Sequence, residues 1–219
     1  MKSKLADALL KLIYPPKCVF CGAVLKDGDL CVKCMEELPY TKGDAVWQKF
    51  AFIEKCCSPL FYKDNVREAI LRYKFNGCES YRKRFGKIMS ECAENNLDCG
   101  SIDMISCIPL SRKRKRTRGY NQAELLALEI SKNVGIEYVP TLKKLRDNMV
   151  QSTIKDAKLR AKNVSGVYGI ICGDTVKGKT ILLVDDVTTT GATLSEGARV
   201  LRRSGARAVF AVTLARHED

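Results

Sequence analysis

The chain has 219 residues, of which 46% are hydrophobic and 29% charged, with a formal net charge of +13, eleven cysteines and one histidine. That length accommodates one sizeable α/β domain plus a small module, and no stretch approaches the roughly 20 apolar residues of a membrane-spanning helix. The single histidine, His217, argues against a Ser-His or Cys-His catalytic pair and against a mixed Cys/His metal site.

The basic excess favours polyanions, either nucleic acid or phosphorylated small molecules, although it also serves solubility. Residues 1–44 hold seven basic and six acidic residues, so +12 of the excess lies in 45–219. Lys2 and Lys4 precede an apolar run in the manner of a secretion signal, but Asp7 and Lys11 interrupt it and no small-residue cleavage site follows. The reading is a short amphipathic helix with Leu5, Leu9, Leu12 and Ile13 on one face, ended by Pro15 and Pro16. A cytoplasmic location is expected.

Without a secretion signal, eleven cysteines argue for metal ligation over a disulfide framework. Cys18 and Cys21, then Cys31 and Cys34, form two C-x2-C pairs separated by nine residues. Each pair offers two thiolates to one side of a tetrahedral Zn²⁺. A segment this short has no core of its own, so a structural zinc would supply much of its folding energy. Redox-active thiols or plain buried cysteines are the alternatives. Gly22 suits a tight turn after the first pair, whereas Met35 follows the second. The remaining seven cysteines, Cys56, Cys57, Cys78, Cys92, Cys99, Cys107 and Cys172, are expected to be small buried hydrophobes.

Residues 50–62 carry Phe50, Phe52, Ile53, Leu60, Phe61 and Tyr62, consistent with one or two strands around Pro59. A helix follows, with Asn65 as its cap and Val66, Ala69, Ile70 and Tyr73 on one face. Lys74 near its end is a candidate ligand contact, although a solvated side chain is the preferred reading. A second helix runs from Tyr81 to about Glu94, with Phe85, Ile88, Met89 and Cys92 inward and Arg82, Lys83, Arg84 and Lys87 on the wet face.

Residues 102–110 read as a strand entering a loop. Six of the eight residues 111–118 are basic. Such a run repels itself and is expected to be a mobile loop without an anion. It is either a solvated patch or a polyphosphate or nucleic-acid contact, with arginines suited to bidentate phosphate grip. Its place after a strand end favours contact. A clear helix then runs from Gln122 to about Lys132, with Ala123, Leu126, Ala127 and Ile130 in a stripe.

Residues 173–180 satisfy G-x-x-x-x-G-K-[ST] letter for letter. That phosphate loop works only between a strand and a helix, and here a strand follows Lys179 directly. The segment is read as a Gly-rich turn between two strands, not an ATP site. Residues 167–171 and 208–214 are expected to be the remaining strands of the sheet.

Residues 181–184 are a run of four apolar residues suited to a central parallel strand. Asp185 and Asp186 stand at its carboxyl end, where open α/β sheets place ligands. Thr188, Thr189, Thr190 and Thr193 put four hydroxyls into six residues around Gly191 and Ala192. Leu194, Ala198 and Leu201 then recur at helical spacing, and Gly205 is a stop signal. The loop therefore meets a helix N-terminus, which attracts phosphate. Two carboxylates beside a phosphate cradle suit a ligand with hydroxyls or a metal.

This last stretch resembles the phosphoribosyl diphosphate (PRPP) loop of the type I phosphoribosyltransferases. Four features in the same order narrow the resemblance to the ComF family, which is associated with competence for DNA uptake. They are the four-cysteine module, Ile108-Pro109-Leu110 with the basic run, the segment Arg118-Gly119-Tyr120-Asn121-Gln122, and the loop from Asp185 to Thr193. The family's usual aromatic is Phe where Tyr120 stands here.

The resemblance implies an α/β type I phosphoribosyltransferase fold, a parallel sheet flanked by helices, in residues 45–219. Residues 45–100 would form the hood and 101–219 the core, behind an N-terminal helix and zinc ribbon in residues 1–44. It implies that Thr188, Thr189, Thr190, Gly191, Ala192 and Thr193 hold the 5-phosphate of PRPP or a related phosphorylated ribose. Asp185 and Asp186 would hold the ribose 2- and 3-hydroxyls, and Mg²⁺ would bridge ribose and diphosphate.

Pro109, Ser111, Arg112, Arg114, Arg116, Arg118, Asn121 and Gln122 are the candidate diphosphate or polyanion contacts. Residues 145–164 match in position the loop that closes over PRPP in such enzymes. Two functions compete. One is a Mg²⁺-dependent phosphoribosyltransferase with no catalytic residue or acceptor identified. The other is a non-catalytic basic protein acting on single-stranded DNA or with other competence proteins. Aromatic residues interleaved with basic ones are sparse, and Tyr120 is the best candidate for base stacking.

Overall fold

The computed structural model describes residues 15–146 and 163–218. The expected helix at residues 1–13 and most of the expected closing loop lie outside them.

The fold is organised by two nine-residue strands, β7 (Thr180–Thr188) and β8 (Ala208–Arg216), that pair in parallel from Thr180↔Ala208 to Thr188↔Arg216. On the far side of β7 lies β4 (Met104–Cys107), also parallel. Beyond β8 come the two-residue strands β2 (Cys56–Cys57) and β3 (Leu60–Phe61), both parallel to it, and β1 (Trp47–Gln48), antiparallel to β2 at the edge.

Both faces of the two long strands are covered. Leu182, Val184, Val212 and Leu214 enter one apolar cluster, while Ile181, Leu183, Val209 and Ala211 enter the other. This two-sided burial explains why residues 181–184 are continuously apolar instead of alternating. All four are 0% exposed, each contributing about 1.5–3 kcal/mol by leaving water.

The first face carries α2 (Asp64–Phe75), α3 (Arg82–Asn96) and α5 (Gln122–Val134). Their inward residues are those the helical spacing picked out: Val66, Ala69, Ile70 and Tyr73, then Phe85, Ile88, Met89 and Cys92, then Ala123, Leu126, Ala127 and Ile130. The second face carries α7 (Ala192–Arg203), through Leu194, Ala198 and Leu201.

The cysteine module packs directly on the first face. Phe20 is fully buried with its ring 5.7 Å from that of Phe85, and Arg84 of α3 donates to Asp29 at 2.9 Å. Arg84, expected to be solvated, is thus a half-buried bridge to the module. Arg82 likewise pairs with Glu129 at 3.1 Å, whereas Lys83 and Lys87 are exposed as expected.

Several expectations are corrected. The residue capping α2 is Lys63, so Asn65 lies inside the helix. Phe50, Phe52 and Ile53 belong to a turn, not a strand. The basic run is not a loop but a helix, α4 (Arg112–Arg118), whose first turn is capped where Ser111 Oγ accepts the Arg114 N–H at 3.3 Å. Tyr168–Ile170, β6, does not join the main sheet. It pairs antiparallel with β5 (Leu142–Lys144) in a separate ribbon.

The segment read as a turn contains a single helical turn, α6 (Gly173–Val176), and is still followed by a strand. Of the seven other cysteines, Cys56, Cys57, Cys92 and Cys107 are buried, but Cys78 and Cys99 are half-exposed and Cys172 is exposed.

Candidate functional site

A cavity of about 250 Å³ opens at the carboxyl ends of β4 and β7. Its wall draws on most of the fold: Pro109 and Leu110 after β4, residues 185–194, Lys74 and Phe75 from α2, Arg114 and Arg118 from α4, Lys144 from β5, Tyr168 from β6, and Tyr62 and His217 at the rim. This is the crevice where parallel sheets present ligand-binding loops.

Asp185 and Asp186 sit within β7, whose pairing continues to Thr188, and not after its last residue. The Asp186 N–H donates to Asp185 Oδ1 at 2.8 Å. Burial pushes the Asp185 carboxyl up to about 7, and the neighbouring Asp186 charge adds to this. Lys74 and the Asp186 N–H pull the other way. Lys74 Nζ lies 2.7 Å from Asp186 Oδ1, with the two side chains only 17% and 13% exposed.

The loop after β7 turns at Gly191, which has φ +69 and starts α7 without a side-chain cap. A Cβ at 191 would lie 2.1 Å from Cδ1 of Phe50, so the ring packed there and the left-handed backbone both require glycine. The uncapped first turn leaves backbone N–H groups facing the cavity at the positive end of the helix dipole. Thr188 Oγ1 is buried and has no hydrogen-bond partner among the described residues.

The helical form of the basic run sorts its arginines by four-residue spacing. Arg114 and Arg118 are half-buried on the cavity side, while Arg112 and Arg116 are exposed. Arg118 stacks its guanidinium 4.8 Å from the centre of the Phe75 ring and donates to Gln122 Oε1 at 3.1 Å. Asn121 is buried and donates to the Ile108 carbonyl at 3.2 Å, and Gln122 is 1% exposed. Ser111, Asn121 and Gln122 therefore shape the wall that carries the arginines.

Arg112, Lys113, Lys115, Lys143, Lys144 and Arg146 line a neighbouring groove of about 670 Å³. Tyr120, the expected stacking aromatic, is 7% exposed, and its hydroxyl donates to the Tyr73 carbonyl. It is closed to a base.

Sequence reasoning missed Lys144, Tyr62 and His217, and it weighed Lys74 as a ligand contact but preferred a solvated side chain. A signal for Lys74 was present: it lies four residues after Ile70 and eight after Val66, on the flank of the buried stripe of α2. His217 lies after β8, where its N–H donates to the Thr188 carbonyl at 3.2 Å and its ring meets Tyr62 at 5.0 Å. Nothing local in the sequence announces that position.

The four cysteines of the module converge, with their Sγ atoms all within 4.8 Å of one another and Cys21 and Cys31 at 3.7 Å. Thiolates about 2.3 Å from a tetrahedral zinc lie about 3.8 Å apart, so the set fits that ion. Gly22, φ +77, makes the expected turn after the first pair. The second pair differs because Cys31 caps α1 (Val32–Glu37) with its sulfur, which accepts the Cys34 N–H at 3.3 Å, and Met35 is simply helical. Burial raises the Cys18 thiol, but the backbone N–H groups around it outweigh this and lower it.

Comparison with known proteins agrees with both parts. Residues 9–45 match the double zinc ribbon domain and residues 117–219 the phosphoribosyl transferase domain. Competence protein ComFC of Streptococcus pneumoniae is 32% identical over 85% of this chain and 80% of its own. Competence protein F of Haemophilus influenzae is 26% identical over 91% and 90%. Among solved structures, the glutamine PRPP amidotransferase of B. subtilis superposes on 62% of this chain and 26% of its own, at 24% identity and a TM-score of 0.41. With its cysteine ribbon, its phosphoribosyltransferase-type sheet and these relatives, the chain belongs to the ComF family of competence-associated proteins.

Proposed function

We propose that the cavity binds a phosphorylated ribose, PRPP or ribose 5-phosphate, and that the protein uses this site in the handling of incoming DNA during competence. The observation that carries the reading is the meeting of two unlike features in one cavity: the uncapped N-terminus of α7 and the partly desolvated pair Asp185 and Asp186.

A 5-phosphate suits the first-turn N–H groups and the hydroxyls of Thr189, Thr190 and Thr193. Vicinal ribose hydroxyls suit two carboxylates that accept hydrogen bonds. Arg114, Arg118 and Lys144 face the space where further phosphate groups would lie. In this reading the chain divides after residue 44, with the four-cysteine ribbon before the boundary carrying a structural zinc on Cys18, Cys21, Cys31 and Cys34, and a phosphoribosyltransferase-type domain in residues 45–219. Titration calorimetry of the zinc-loaded protein with PRPP, beside the Asp185→Asn/Asp186→Asn variant, tests it. Binding by the parent and not by the folded variant is expected; equal binding by both would refute the assignment of the acids.

A second reading is favoured by the groove beside the cavity. Six cationic side chains along 670 Å³ form a track for a polyanion such as single-stranded DNA. The groove and cavity share Pro109, Leu110 and Lys144, so the two readings are compatible.

A further inference from the structure

A further depression, of about 530 Å³, opens beside the loop that follows β7. Thr189 belongs to its wall and to that of the cavity, so the two meet at the loop. Its sides are aromatic: Trp47 of the edge strand β1, Phe50 from the turn after it, and Phe61 of β3. All three rings are half-buried and none of them lines the cavity. Tyr120 is closed to a base, whereas these rings are open. Residues 47–63 also carry the interleaving of aromatic and basic side chains that the basic run lacks.

The wall is held in place from below. Arg216, 6% exposed at the end of β8, donates from Nη1 to the carbonyls of Ala45 and Trp47 at 2.9 and 3.1 Å. Its guanidinium carbon lies 6.0 Å from the centre of the Phe61 ring. Arg216 pairs in register with Thr188, so the aromatic wall is tied to the strand end from which the phosphate loop springs. Phe50 touches that loop itself, because its ring occupies the space where Gly191 would carry a Cβ.

The chemistry of the depression is mixed. Two ammonium groups back its rings without lining it: Lys55 Nζ is 5.1 Å from the centre of the Trp47 ring, and Lys63 Nζ is 5.4 Å from that of Phe61. Asp44, Gln48 and Glu218 add a carboxylate, an amide and a second carboxylate at its margin. An apolar ligand would leave those groups unmatched, and a small anion would leave the rings unused. A flat heteroaromatic ring with a hydrogen-bonding edge uses both. Nucleobases stack on aromatic side chains, carboxylates accept from exocyclic amino groups, and a glutamine amide matches the paired donor and acceptor of adenine.

We propose that the depression walled by Trp47, Phe50 and Phe61 binds an unpaired nucleobase bearing an exocyclic amino group, with its sugar-phosphate running toward Thr189. The base belongs to a free nucleotide or to a single strand, which present the same chemistry. The proposal is independent of the ribose-phosphate reading of the cavity, whose acids take no part in it.

Trp47 is the only tryptophan of the chain, so its fluorescence reads the occupancy of this wall. Zinc-loaded full-length protein is titrated with adenosine 5′-monophosphate, ribose 5-phosphate, a single-stranded oligodeoxyadenylate and an abasic strand of the same length. Quenching by the two ligands with bases, and little by the two without, is expected. Phe61→Leu, shown to be folded by zinc content and circular dichroism, should weaken the quenching titration about fivefold or more, the scale of one base–aromatic stack. Its calorimetric titration with ribose 5-phosphate should match that of the parent. Half-quenching at a lower concentration of the strand assigns the site to single-stranded nucleic acid; at a lower concentration of the mononucleotide, to a free nucleotide. Quenching by neither ligand with a base, equal quenching by the ligands without one, or an unchanged quenching titration in folded Phe61→Leu would overturn the proposal. None of these three results bears on the cavity.

Discussion

Arg72 Nη2 donates to the carbonyl oxygen of Phe20 at 2.6 Å, which joins the turn between Cys18 and Cys21 to the helix that delivers Lys74 to the cavity. The cysteine ribbon is therefore a support for one wall of the site. Removing zinc with a strong chelator should loosen α2. Amide hydrogen exchange in residues 64–75 is expected to rise, and affinity for ribose 5-phosphate to fall. Arg72→Ala should reproduce part of this and cost about 1–3 kcal/mol of stability, because two buried carbonyls lose a charged donor. Unchanged exchange in α2 after zinc loss would show the ribbon to be independent of the site.

Asp185 should leave a signature in the pH dependence of stability. Its folded pKa, about 7, lies above the unfolded value of about 3.9. Between these values the folded state binds more protons than the unfolded one, so this group makes stability fall as pH rises. Asp185→Asn is expected to raise Tm at pH 8 and to lose most of that advantage by pH 4. A Tm gain that is the same at both pH values would contradict the raised pKa.

Gly191 is expected to resist substitution for two separable reasons. Gly191→Ala should cost about 1–2 kcal/mol from the left-handed backbone alone, with more from the Phe50 ring, whose Cδ1 would lie 2.1 Å from the new methyl group. Adding Phe50→Ala should recover the second part and leave the first, as read by urea denaturation. Full recovery in the double variant would show that backbone strain is minor there.

The basic groove predicts binding that weakens steeply with salt. Lys113→Gln with Lys115→Gln should lower the slope of log affinity for an oligothymidylate against log salt by about 1–2, through loss of phosphate contacts. An unchanged slope would place any DNA contact elsewhere on the molecule.

Much of the fold was legible because its signals are local. The apolar run at residues 181–184, the stripes of the three helices on one face and the paired C-x2-C spacings each reflect a single element meeting a core or a cluster. The basic helix α4 was misread because charge repulsion was weighed without the cap: Ser111 Oγ holds the Arg114 N–H, and Gly119, φ +84, closes the helix. β6 was placed in the main sheet because a short apolar segment does not reveal its partner, and here the partner is β5. Lys74 and His217 enter the cavity from elements about 110 and 30 residues from the acids, a juxtaposition that only tertiary packing creates.

The most direct measurement of the central claim compares ribose 5-phosphate with 2-deoxyribose 5-phosphate, each titrated into the parent and into Asp185→Asn/Asp186→Asn. If the phosphate sits on the N-terminus of α7 and the acids hold the ribose hydroxyls, the parent should prefer the ribose compound by about tenfold, one lost hydrogen bond to a charged group. The variant should bind both sugars weakly and alike. Equal affinity of the parent for the two sugars would contradict the account.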